Sequence, residues 1–553
     1  MTLRVRWLGR VPYREALDLQ HALFASGASD HLLLLEHPPV YTLGVRATLE
    51  HVLTPPESVG ADLVRVDRGG DVTYHGPGQL VGYPILTLPG KRGMAAGMAD
   101  TVAYVNSVEQ LLIDALHELG VGDVGRLRRF PGVWAGLDAD DPPRKIAAIG
   151  VRLSRGRTMH GFALNVSTDL SMFEHIVPCG IAGLGVTSLQ QEGIDVDMST
   201  VVGVVVRLAV ERWGASGWER QDVAWRERPE DLSLFSRGHG AGEPVRLTGR
   251  LAQAGVTEGL QISARKPEWL RAPVRHDRSV LALRHTMRDL GLTTVCEEAG
   301  CPNLSECWAD GTATFMINGA SCTRACGFCL IDTSRPLPLE ADEPARVAEA
   351  VRRMRVAHAV VTAVARDDLG DGGAHGFVAT IEAIRSARPG VAVEVLIPDC
   401  KGDHAGLDAI FAAQPDVLNH NIETVARLQR AVRPSAGYAR SLAVLARAKQ
   451  AGLVTKSGLI VGMGETDDEV AGTLADLRGV GVDIVTIGQY LRPTSHHLPV
   501  TRWVPPESFD GYRRVGEGLG IAHVEASPLT RSSYHARSAA AAARPVERRT
   551  VSA

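Results

Sequence analysis

The sequence predicts an α/β protein of two domains: a mixed α+β domain followed by a domain in which parallel strands alternate with helices. Three observations support this prediction. The chain has 553 residues, 45% of them hydrophobic, which is too long for one ordinary core and apolar enough to bury several. A polar segment rich in glycine and proline interrupts the chain near its middle. Strand-like runs recur at regular intervals only after that segment.

Charge and hydropathy exclude some partners. The formal net charge is −4, from 59 basic and 63 acidic side chains, so no strong overall field favours nucleic acid or an anionic membrane. The first ten residues contain no apolar stretch that resembles a signal peptide, and no run approaches the ~20 apolar residues of a membrane span. We expect a cytoplasmic protein with no nucleic-acid and no membrane partner.

The first half combines strand-like and helical patterns. Residues 32–36 and 63–67 are apolar runs typical of strands. Apolar residues recur every three or four positions over 105–119, Asn106 and Glu109 suit the first turn of a helix there, and Gly120 provides a stop. These patterns predict an α+β or mixed α/β domain.

The junction and the end of the chain set the predicted boundaries. Residues from about 225 to 255 are polar and rich in glycine and proline, which is typical of a linker. We predict a first domain over 1–235, a linker over 236–258 and a second domain over 259–536. Residues 537–553 show no apolar period and predict a disordered tail.

The second half alternates between strands and helices. Strand-like runs at 313–317, 358–364, 391–397, 416–420, 454–461 and 483–488 are separated by helical segments rich in alanine and arginine. Six strand–helix units with parallel strands form either an open sheet or a barrel, and in both the ligand site lies at the carboxyl ends of the strands. Cys322 follows the first of these strands, at that end.

Six of the eight cysteines form two triplets, which are Cys296, Cys301 and Cys307, and Cys322, Cys326 and Cys329. The second triplet has gaps of three and two residues, so a short loop can direct three thiolates to three irons of a cubane and leave the fourth iron open. The first triplet also supplies three thiolates. Zinc sites usually have matched pairs with two-residue gaps, which favours two iron–sulfur clusters over a zinc knot or disulfides.

The cluster half resembles lipoyl synthase, a radical S-adenosylmethionine family, over about 260–536. The matching segments are residues 266–271, 366–374, 419–424, 455–458, 487–491 and 531–536. The resemblance implies a partial (β/α)6 TIM-like barrel. It also implies two [4Fe-4S] clusters. The cluster on Cys322, Cys326 and Cys329 would cleave S-adenosyl-L-methionine to a 5′-deoxyadenosyl radical, which can attack an unactivated C–H bond.

The same resemblance assigns the remaining cluster residues. The auxiliary cluster on Cys296, Cys301 and Cys307 would donate two sulfur atoms to carbons 6 and 8 of a protein-bound octanoyl chain. Its fourth ligand maps to Ser533, a harder and weaker ligand for iron than a thiolate, although a turn is the ordinary role of a serine pair. Asn421 and Glu423 would contact S-adenosyl-L-methionine, or else form a turn at a strand end.

The first half resembles lipoate-protein octanoyltransferase, which has the biotin/lipoate-ligase fold, over about 10–215. The matching segments are 68–78, 145–152 and 159–165. The resemblance implies that Cys179 carries octanoate as a thioester and that Lys145 activates this thiol and the acceptor amine. An adenylating ligase would use ATP instead, and Cys179 favours the thioester route. The implied substrate-binding residues are Arg68, Gly69, Gly70, Asp71, Val72, Thr73, Tyr74, His75, Ala148, Ile149, Gly150, Gly161, Phe162 and Ala163.

The two resemblances describe consecutive reactions, because the octanoyl-lysine made by the first half is the substrate of the second. They predict a bifunctional enzyme of lipoate biosynthesis. Its expected partners are octanoyl-acyl carrier protein, the lipoyl domains of 2-oxoacid dehydrogenase complexes, the glycine cleavage H protein, an electron donor and an iron–sulfur carrier. Two alternatives remain: an iron–sulfur sensor joined to an acyl-binding module, and a methylthiotransferase acting on RNA or protein, against which the lack of a basic tract argues.

Overall fold

The computed structural model describes residues 1–90, 99–139, 141–178, 184–225, 249–271, 285–292, 303, 307 and 312–543. The chain divides into two compact units after Trp225. Within the described residues, no helix is both long enough and apolar enough to cross a membrane. Each unit contains its own sheet and its own hydrophobic core.

The described strands of the first unit form two sheets. An eight-stranded mixed sheet has the order β11-β1-β2-β6-β10-β9-β8-β7, and a small sheet has the order β4-β3-β5. The strands are β1 Leu3–Arg10, β2 Asp30–Glu36, β3 Val40–Leu43, β4 Asp62–Arg65, β5 Val72–His75, β6 Gln79–Ile85, β7 Val124–Leu127, β8 Phe130–Ala135, β9 Arg144–Ser154, β10 Arg157–Asn165 and β11 Trp218–Asp222. The helices are α1 Tyr13–Ser26, α2 Thr101–Glu118 and α3 Met198–Trp213. This arrangement confirms the predicted mixture of helices and strands.

Helices α2 and α3 cover one face of the large sheet. Leu112 of α2 and Val205 of α3 are fully buried in a core that also contains Leu34 of β2. Helix α2 begins at Thr101, one turn before the predicted start, because the Asp100 side chain caps it by accepting hydrogen bonds from the amides of residues 102 and 103. Gly120, with φ of +101°, follows its end as predicted.

The second unit contains a parallel sheet of seven strands within the described residues, in the order β12-β13-β14-β15-β16-β17-β18. The strands are β12 Thr312–Ile317, β13 His358–Ala363, β14 Ala392–Leu396, β15 Val417–Asn419, β16 Thr455–Val461, β17 Ile484–Gln489 and β18 His523–Ala526. The helices are α4 Glu343–Met354, α5 Ala374–Ala387, α6 His404–Ala412, α7 Gln429–Val432, α8 Tyr438–Gln450, α9 Asp467–Gly479, α10 Pro506–Gly518 and α11 Ala536–Ala543. All six predicted strands are present, and β18 is an additional one.

Sequential strands pair in register and parallel, as in β12 with β13 and β16 with β17. The intervening helices bury their apolar residues against the sheet, and Val351, Phe377 and Ile410 are fully buried there. Strand order therefore follows chain order, and the carboxyl ends of all seven described strands lie at one edge. This is the partial barrel that the sequence analysis expected.

Two predicted boundaries need correction. Residues 249–253, assigned to the linker, are helical, and Leu251 is buried in the second unit. Residues 537–543, assigned to a disordered tail, belong to α11, whose Ala539 and Ala540 pack against Val417 and Ile484. Alanines bury little surface each, but their small size allows a helix to approach a sheet closely. Residues 226–248 and 544–553 lie outside the described part of the chain.

Candidate active sites

The first unit contains a cleft of about 580 Å³ beside the large sheet. All of the predicted substrate-binding residues line it except Val72 and Tyr74. The described lining also includes residues that the sequence analysis did not select: Tyr13, Arg46, Tyr83, Thr101, Val105, Arg129, Phe130, Pro131, Val151 and His160. Lys145 belongs to the lining as well.

Strand β5 explains the two exceptions. Side chains alternate between the two faces of a strand, so Thr73 and His75 face the cleft while Val72 and Tyr74 face away from it. Tyr74 is almost fully buried in a separate small core, where its ring lies 5.5 Å from that of Phe173. Tyr74 is therefore not part of the cleft wall that was predicted.

The segment 68–71 forms one wall through close backbone contacts. The Arg68 guanidinium donates hydrogen bonds to the carbonyl oxygen of Thr42 at 2.7 Å and to its hydroxyl at 2.8 Å. The Gly69 amide donates to the carbonyl oxygen of Val151 at 3.0 Å. A Cβ atom on Gly150 would lie 3.1 Å from the Gly69 carbonyl oxygen, so these glycines allow two backbone segments to approach each other.

Lys145 is a buried cation of this site, as is Arg68. The Lys145 side chain is only 7% exposed, and Nζ lies 4.8 Å from the ring centroid of Trp134. The Lys145 amide donates to the carbonyl oxygen of Gly185 at 2.9 Å, and the Thr187 amide donates to the Lys145 carbonyl oxygen at 3.0 Å. Residues 185–187 therefore run beside β9 at the position of Lys145.

Cys179 itself lies outside the described residues, but the chain that precedes it is also tied to the cleft. The Val177 amide donates to the carbonyl oxygen of His51 at 2.8 Å. His51 Nδ1 lies 2.7 Å from the Asp71 carboxylate, which lines the cleft. Both flanks of the segment 179–183 are therefore attached to residues that form the cleft or contact its wall.

The histidines of the cleft are held in polar networks. His75 Nδ1 lies 2.8 Å from Gln79 Oε1, and burial holds the pKa of His75 well below its usual value. His160 Nε2 lies 2.7 Å from Asp67, and burial lowers the pKa of His160 despite this carboxylate. Both imidazoles are therefore neutral at pH 7, and their contacts are those of positioning groups.

In the second unit, the loop with Cys322, Cys326 and Cys329 follows β12, at the edge of the sheet where the strands end. Backbone hydrogen bonds fix this loop: Cys322 N to Asp332 O at 2.8 Å and Gly327 N to Val432 O at 2.9 Å. Burial raises the pKa of the Cys326 thiol to about 12, with the neighbouring cysteines adding to the effect. The three thiols are thus close enough to interact electrostatically.

Arg324 anchors the same loop from within, a role that the sequence analysis missed. Its guanidinium donates two hydrogen bonds to Asp367, both at 2.8 Å, and one to Asp399 at 2.5 Å. Burial by itself would raise the pKa of Asp399. The effect of Arg324 outweighs that of burial, and the pKa of Asp399 is lowered to about 2. This buried ion pair holds the loop against the ends of β13 and β14.

Asn421 and Glu423 lie just after β15, as predicted. Asn421 Nδ2 donates to Glu423 Oε1 at 3.0 Å, and the Ser532 hydroxyl donates to Asn421 Oδ1 at 3.2 Å. Burial raises the pKa of Glu423, and Arg433 partly offsets that effect. Glu423 also raises the pKa of Cys326, which places this carboxyl near the cysteine loop.

Only Cys307 of the first triplet is described, because Cys296 and Cys301 lie outside the described residues. The Cys307 amide donates to the carbonyl oxygen of Asn303 at 3.0 Å, and Asn303 Nδ2 donates to that of Leu529 at 2.7 Å. Cys307 is thereby tied to the chain just before the 531–534 motif. The Ser533 hydroxyl has no hydrogen-bond partner among the described residues, whereas Ser532 is bonded to Asn419 and Asn421.

No group of three described His, Cys, Asp or Glu side chains is arranged to hold a single metal ion. A cubane does not require three side chains around one metal ion, because each thiolate binds a different iron. The cysteine loop is therefore to be compared with cluster sites and not with mononuclear ones.

Comparison with known proteins identifies the class of each unit. Residues 12–208 match the family model described as lipoyl protein ligase A/B catalytic domain, and residues 317–477 match the radical SAM superfamily. Solved structures to which the chain is similar include a bipartite lipoate protein ligase with its E2 lipoyl domain from Thermoplasma acidophilum, at a TM-score of 0.34 and 18% identity, covering 41% of this chain and 88% of that one.

The relatives identify the second unit more closely. Lipoyl synthase of Rubrobacter xylanophilus is 55% identical over 273 residues, which are 49% of this chain and 85% of the relative. Lipoyl synthase of Kineococcus radiotolerans is 54% identical over 272 residues, 49% of this chain and 82% of the relative. The chain belongs to the lipoyl synthase family, with a lipoyl ligase-type catalytic domain at its amino-terminal side. This confirms both resemblances, and it implies S-adenosyl-L-methionine and iron–sulfur clusters as cofactors.

Proposed function

We propose that this chain performs two successive steps of lipoate biosynthesis on one carrier domain: octanoyl transfer in the first unit and sulfur insertion in the second. The observation that carries the proposal for the first unit is the attachment of both flanks of Cys179 to the cleft. Val177 is bonded to His51, and Gly185 is bonded to Lys145. These attachments on both sides of residues 179–183 support the assignment of Cys179 to the same reaction as Lys145.

The first reaction is an acyl exchange at Cys179. The thiolate attacks the carbonyl carbon of octanoyl-acyl carrier protein, and the carrier thiol leaves with the proton. The ε-amine of a lipoyl-domain lysine then attacks the Cys179 thioester, forms an amide and releases the thiol. A thiol with an ordinary pKa of ~8.5 is mostly protonated at pH 7. The Lys145 ammonium favours the Cys179 thiolate and gives its proton to the departing carrier thiolate, and the resulting Lys145 amine then accepts the proton of the acceptor lysine.

The apolar part of the cleft suits an octanoyl chain. Ile149, Phe162 and Ala163 belong to its lining, and transfer of each buried CH2 from water to such a surface contributes about 0.8 kcal/mol. A Cβ atom on Gly82 would lie 2.2 Å from the Phe162 ring, so glycine at this position leaves room for the aromatic side chain. Arg68 and the glycines beside it would then hold the polar end of the acyl group.

The described residues of the second unit fit a cluster that binds S-adenosyl-L-methionine. Three cysteines lie on one loop that is fixed by backbone hydrogen bonds, and cysteine thiolates are the usual ligands of iron–sulfur clusters. When bound, these cofactors supply a radical able to abstract hydrogen from unactivated carbon. Asn421 and Glu423 lie beside the loop and would hold the amino acid part or the ribose of S-adenosyl-L-methionine.

We assign Cys296, Cys301, Cys307 and Ser533 to a second [4Fe-4S] cluster that supplies the two sulfur atoms. The support is the contact of Asn303 with Leu529, which brings the Cys307 turn to the start of the 531–534 motif. Among the described residues the Ser532 hydroxyl is bonded to Asn419 and Asn421 and the Ser533 hydroxyl has no such bond, which favours Ser533 as the ligand. The expected partners are octanoyl-acyl carrier protein, lipoyl domains including the H protein, an electron donor and an iron–sulfur carrier.

Mass spectrometry of a lipoyl domain tests both reactions. The full chain, reconstituted anaerobically, is incubated with octanoyl carrier protein, a reductant and S-adenosyl-L-methionine. The domain should gain an octanoyl group and then two sulfur atoms. Cys179→Ala should block octanoyl loading but still insert sulfur into a domain that already carries octanoate, and Cys326→Ala should block only sulfur insertion. Loading from free octanoate that requires ATP and survives Cys179→Ala would contradict the thioester route.

Iron analysis tests the second cluster separately. The reconstituted chain should hold about eight irons, and Cys296→Ala should reduce this to about four. Ser533→Ala should alter the spectrum of the second cluster and abolish sulfur insertion, whereas the matched variant Ser532→Ala should retain that spectrum. An iron content of about four in the unmodified chain would overturn the assignment.

A further inference from the structure

The cleft of the first unit carries more positive charge than an octanoyl chain requires. Its lining contains the cationic side chains of Arg46, Arg68, Arg129 and Lys145, against the carboxylate of Asp71. Arg68 is bonded to Thr42, and Lys145 lies over Trp134. Neither octanoate in thioester linkage nor its amide is charged, so the acyl group itself provides no counterion for the other two arginines.

Arg46 and Arg129 are both exposed, and within the described part of the chain neither guanidinium has a hydrogen-bond or ion-pair partner. Their backbones are nevertheless fixed. The Arg46 amide donates to the carbonyl oxygen of Gly70 at 3.1 Å. Arg129 lies in the turn between β7 and β8, where Leu127 pairs with Phe130. Two unpaired guanidinium groups are therefore held on fixed backbone at one cleft.

Arg129 occupies a backbone conformation that disfavours its residue type. Its φ is +76°, in the left-handed region where glycine is preferred and a larger residue is strained. A glycine would adopt this turn without strain, so the turn itself does not require an arginine side chain at this position. Arg128, the other residue of this turn, is also exposed but does not line the cleft.

We propose that Arg46 and Arg129 form a phosphate-binding site that recognises the phosphopantetheine phosphate of the acyl donor. Guanidinium groups bind phosphate oxygens through paired, charge-assisted hydrogen bonds. The inference rests on the proposed octanoyl transfer, because a donor thioester on a phosphopantetheine arm brings one phosphate into the cleft together with the acyl group. The site thus selects the donor and has no part in the chemistry at Cys179.

Steady-state kinetics of the full chain with three donors test this site. The donors are octanoyl carrier protein, octanoyl-coenzyme A and the octanoyl thioester of N-acetylcysteamine, which has no phosphate. Arg46→Gln and Arg129→Gly should each raise KM for the first two donors about tenfold, the loss expected for one charge-assisted hydrogen bond. They should leave kcat, and the reaction with the phosphate-free donor, unchanged. Arg128→Gln is the matched control and should change nothing.

Arg129→Gly also separates binding from folding. Glycine relieves the positive φ, so the melting temperature of this variant should be equal to or higher than that of the unmodified chain while KM rises. Equal effects on all three donors, an effect on the carrier protein alone, or an effect only on KM for the lipoyl domain would each overturn the phosphate site. Absence of transfer by the unmodified chain from any donor would instead contradict the proposed function.

Discussion

The two units build their sites by different means. In the first, the cleft is formed by close backbone contacts at glycines and by hydrogen bonds that connect loops to strand β9. In the second, buried ion pairs hold polar loops at the ends of parallel strands, as between Arg324 and Asp399. In the first unit, cationic side chains such as Lys145 and Arg129 line the cleft, whereas in the second unit the charge of Arg324 holds the cysteine loop to the fold.

Replacement of the two buried lysines, Lys145 and Lys456, tests this comparison. The largest expected effect is the loss of octanoyl transfer in a Lys145 variant. Lys145 lines the cleft and contacts Trp134. Lys145→Met should reduce octanoyl transfer about 10²- to 10⁴-fold, the range for removal of an acid–base group. The measurement is the rate of octanoylation of a lipoyl domain. Sulfur insertion into a domain that already carries octanoate serves as control and should not change.

Replacement of Lys456 should instead lower the stability of the second unit and leave octanoyl transfer unchanged. This lysine is fully buried in β16, where Nζ lies 2.9 Å from Glu394 Oε1. Burial by itself would raise the pKa of Glu394. The opposing effects of Lys456 and then His358 outweigh burial, and they lower this pKa to about 2. Lys456→Met leaves this carboxylate without its strongest partner and should lower the free energy of unfolding of the second unit by about 3–5 kcal/mol.

Differential scanning calorimetry distinguishes the units in this experiment. Only the transition of the second unit should move in Lys456→Met, and octanoyl transfer should remain. The double variant Glu394→Gln/Lys456→Met removes both charges and should recover part of the lost stability. A shift of both transitions would show that the two units do not unfold independently.

Mild acid should destabilise the first unit more than the second, because more of the described buried histidines with a lowered pKa lie in the first unit. Burial lowers the pKa of His31 to about 3 and that of His37 to about 4 in the first unit, and that of His420 to about 4 in the second. Each imidazole stays neutral in the folded protein, while the unfolded chain takes up a proton below pH ~6.5. The stability contributed by the neutral form is therefore present above pH ~6.5 and is lost as the pH falls toward the folded pKa.

At pH 5 each of these histidines should lower the free energy of unfolding by about 2 kcal/mol relative to its value at pH 7. The first unit should thus lose about 4 kcal/mol from His31 and His37, with His75 adding to this loss, and the second unit about 2 kcal/mol from His420. Calorimetric scans at the two pH values measure the difference. His37→Gln should reduce the pH dependence of the first transition, and an equal shift of both transitions in the unmodified chain would contradict the assignment.

The smallest expected effects come from helix caps, one in each unit. The Asp197 carboxylate accepts a hydrogen bond from the Thr200 amide at 2.7 Å at the start of α3. The Thr466 hydroxyl accepts one from the Glu469 amide at 3.2 Å at the start of α9. Replacement of either residue by alanine should lower stability by about 1 kcal/mol, in its own unit only, and leave both activities intact. A change in either activity would show that the helix start also affects a site.

Some features could be predicted from the sequence because their signals are local. The six strand–helix units follow from apolar runs, and the period of two along a strand could also have excluded Val72 and Tyr74 from the cleft. Strand β18 was missed because its sequence, His-Val-Glu-Ala, contains no continuous apolar run, and α11 was missed because its apolar residues are all alanines, which give little hydrophobic signal. Arg324 gave no signal, since its carboxylate partners are distant in the chain.

The amino-acid sequence by itself determined which chemistry the chain can carry: the cysteine spacing, the lysine and cysteine of the first half, and the order of strands and helices. These depend on residue type and on short-range periodicity, which need no long-range contact. Only the tertiary structure decided that Arg46 and Arg129 share one cleft, that Ser532 is bonded to Asn419 and Asn421, and that Lys456 is paired with Glu394. Such pairings depend on residues far apart in the chain, which are brought together only when the sheets form.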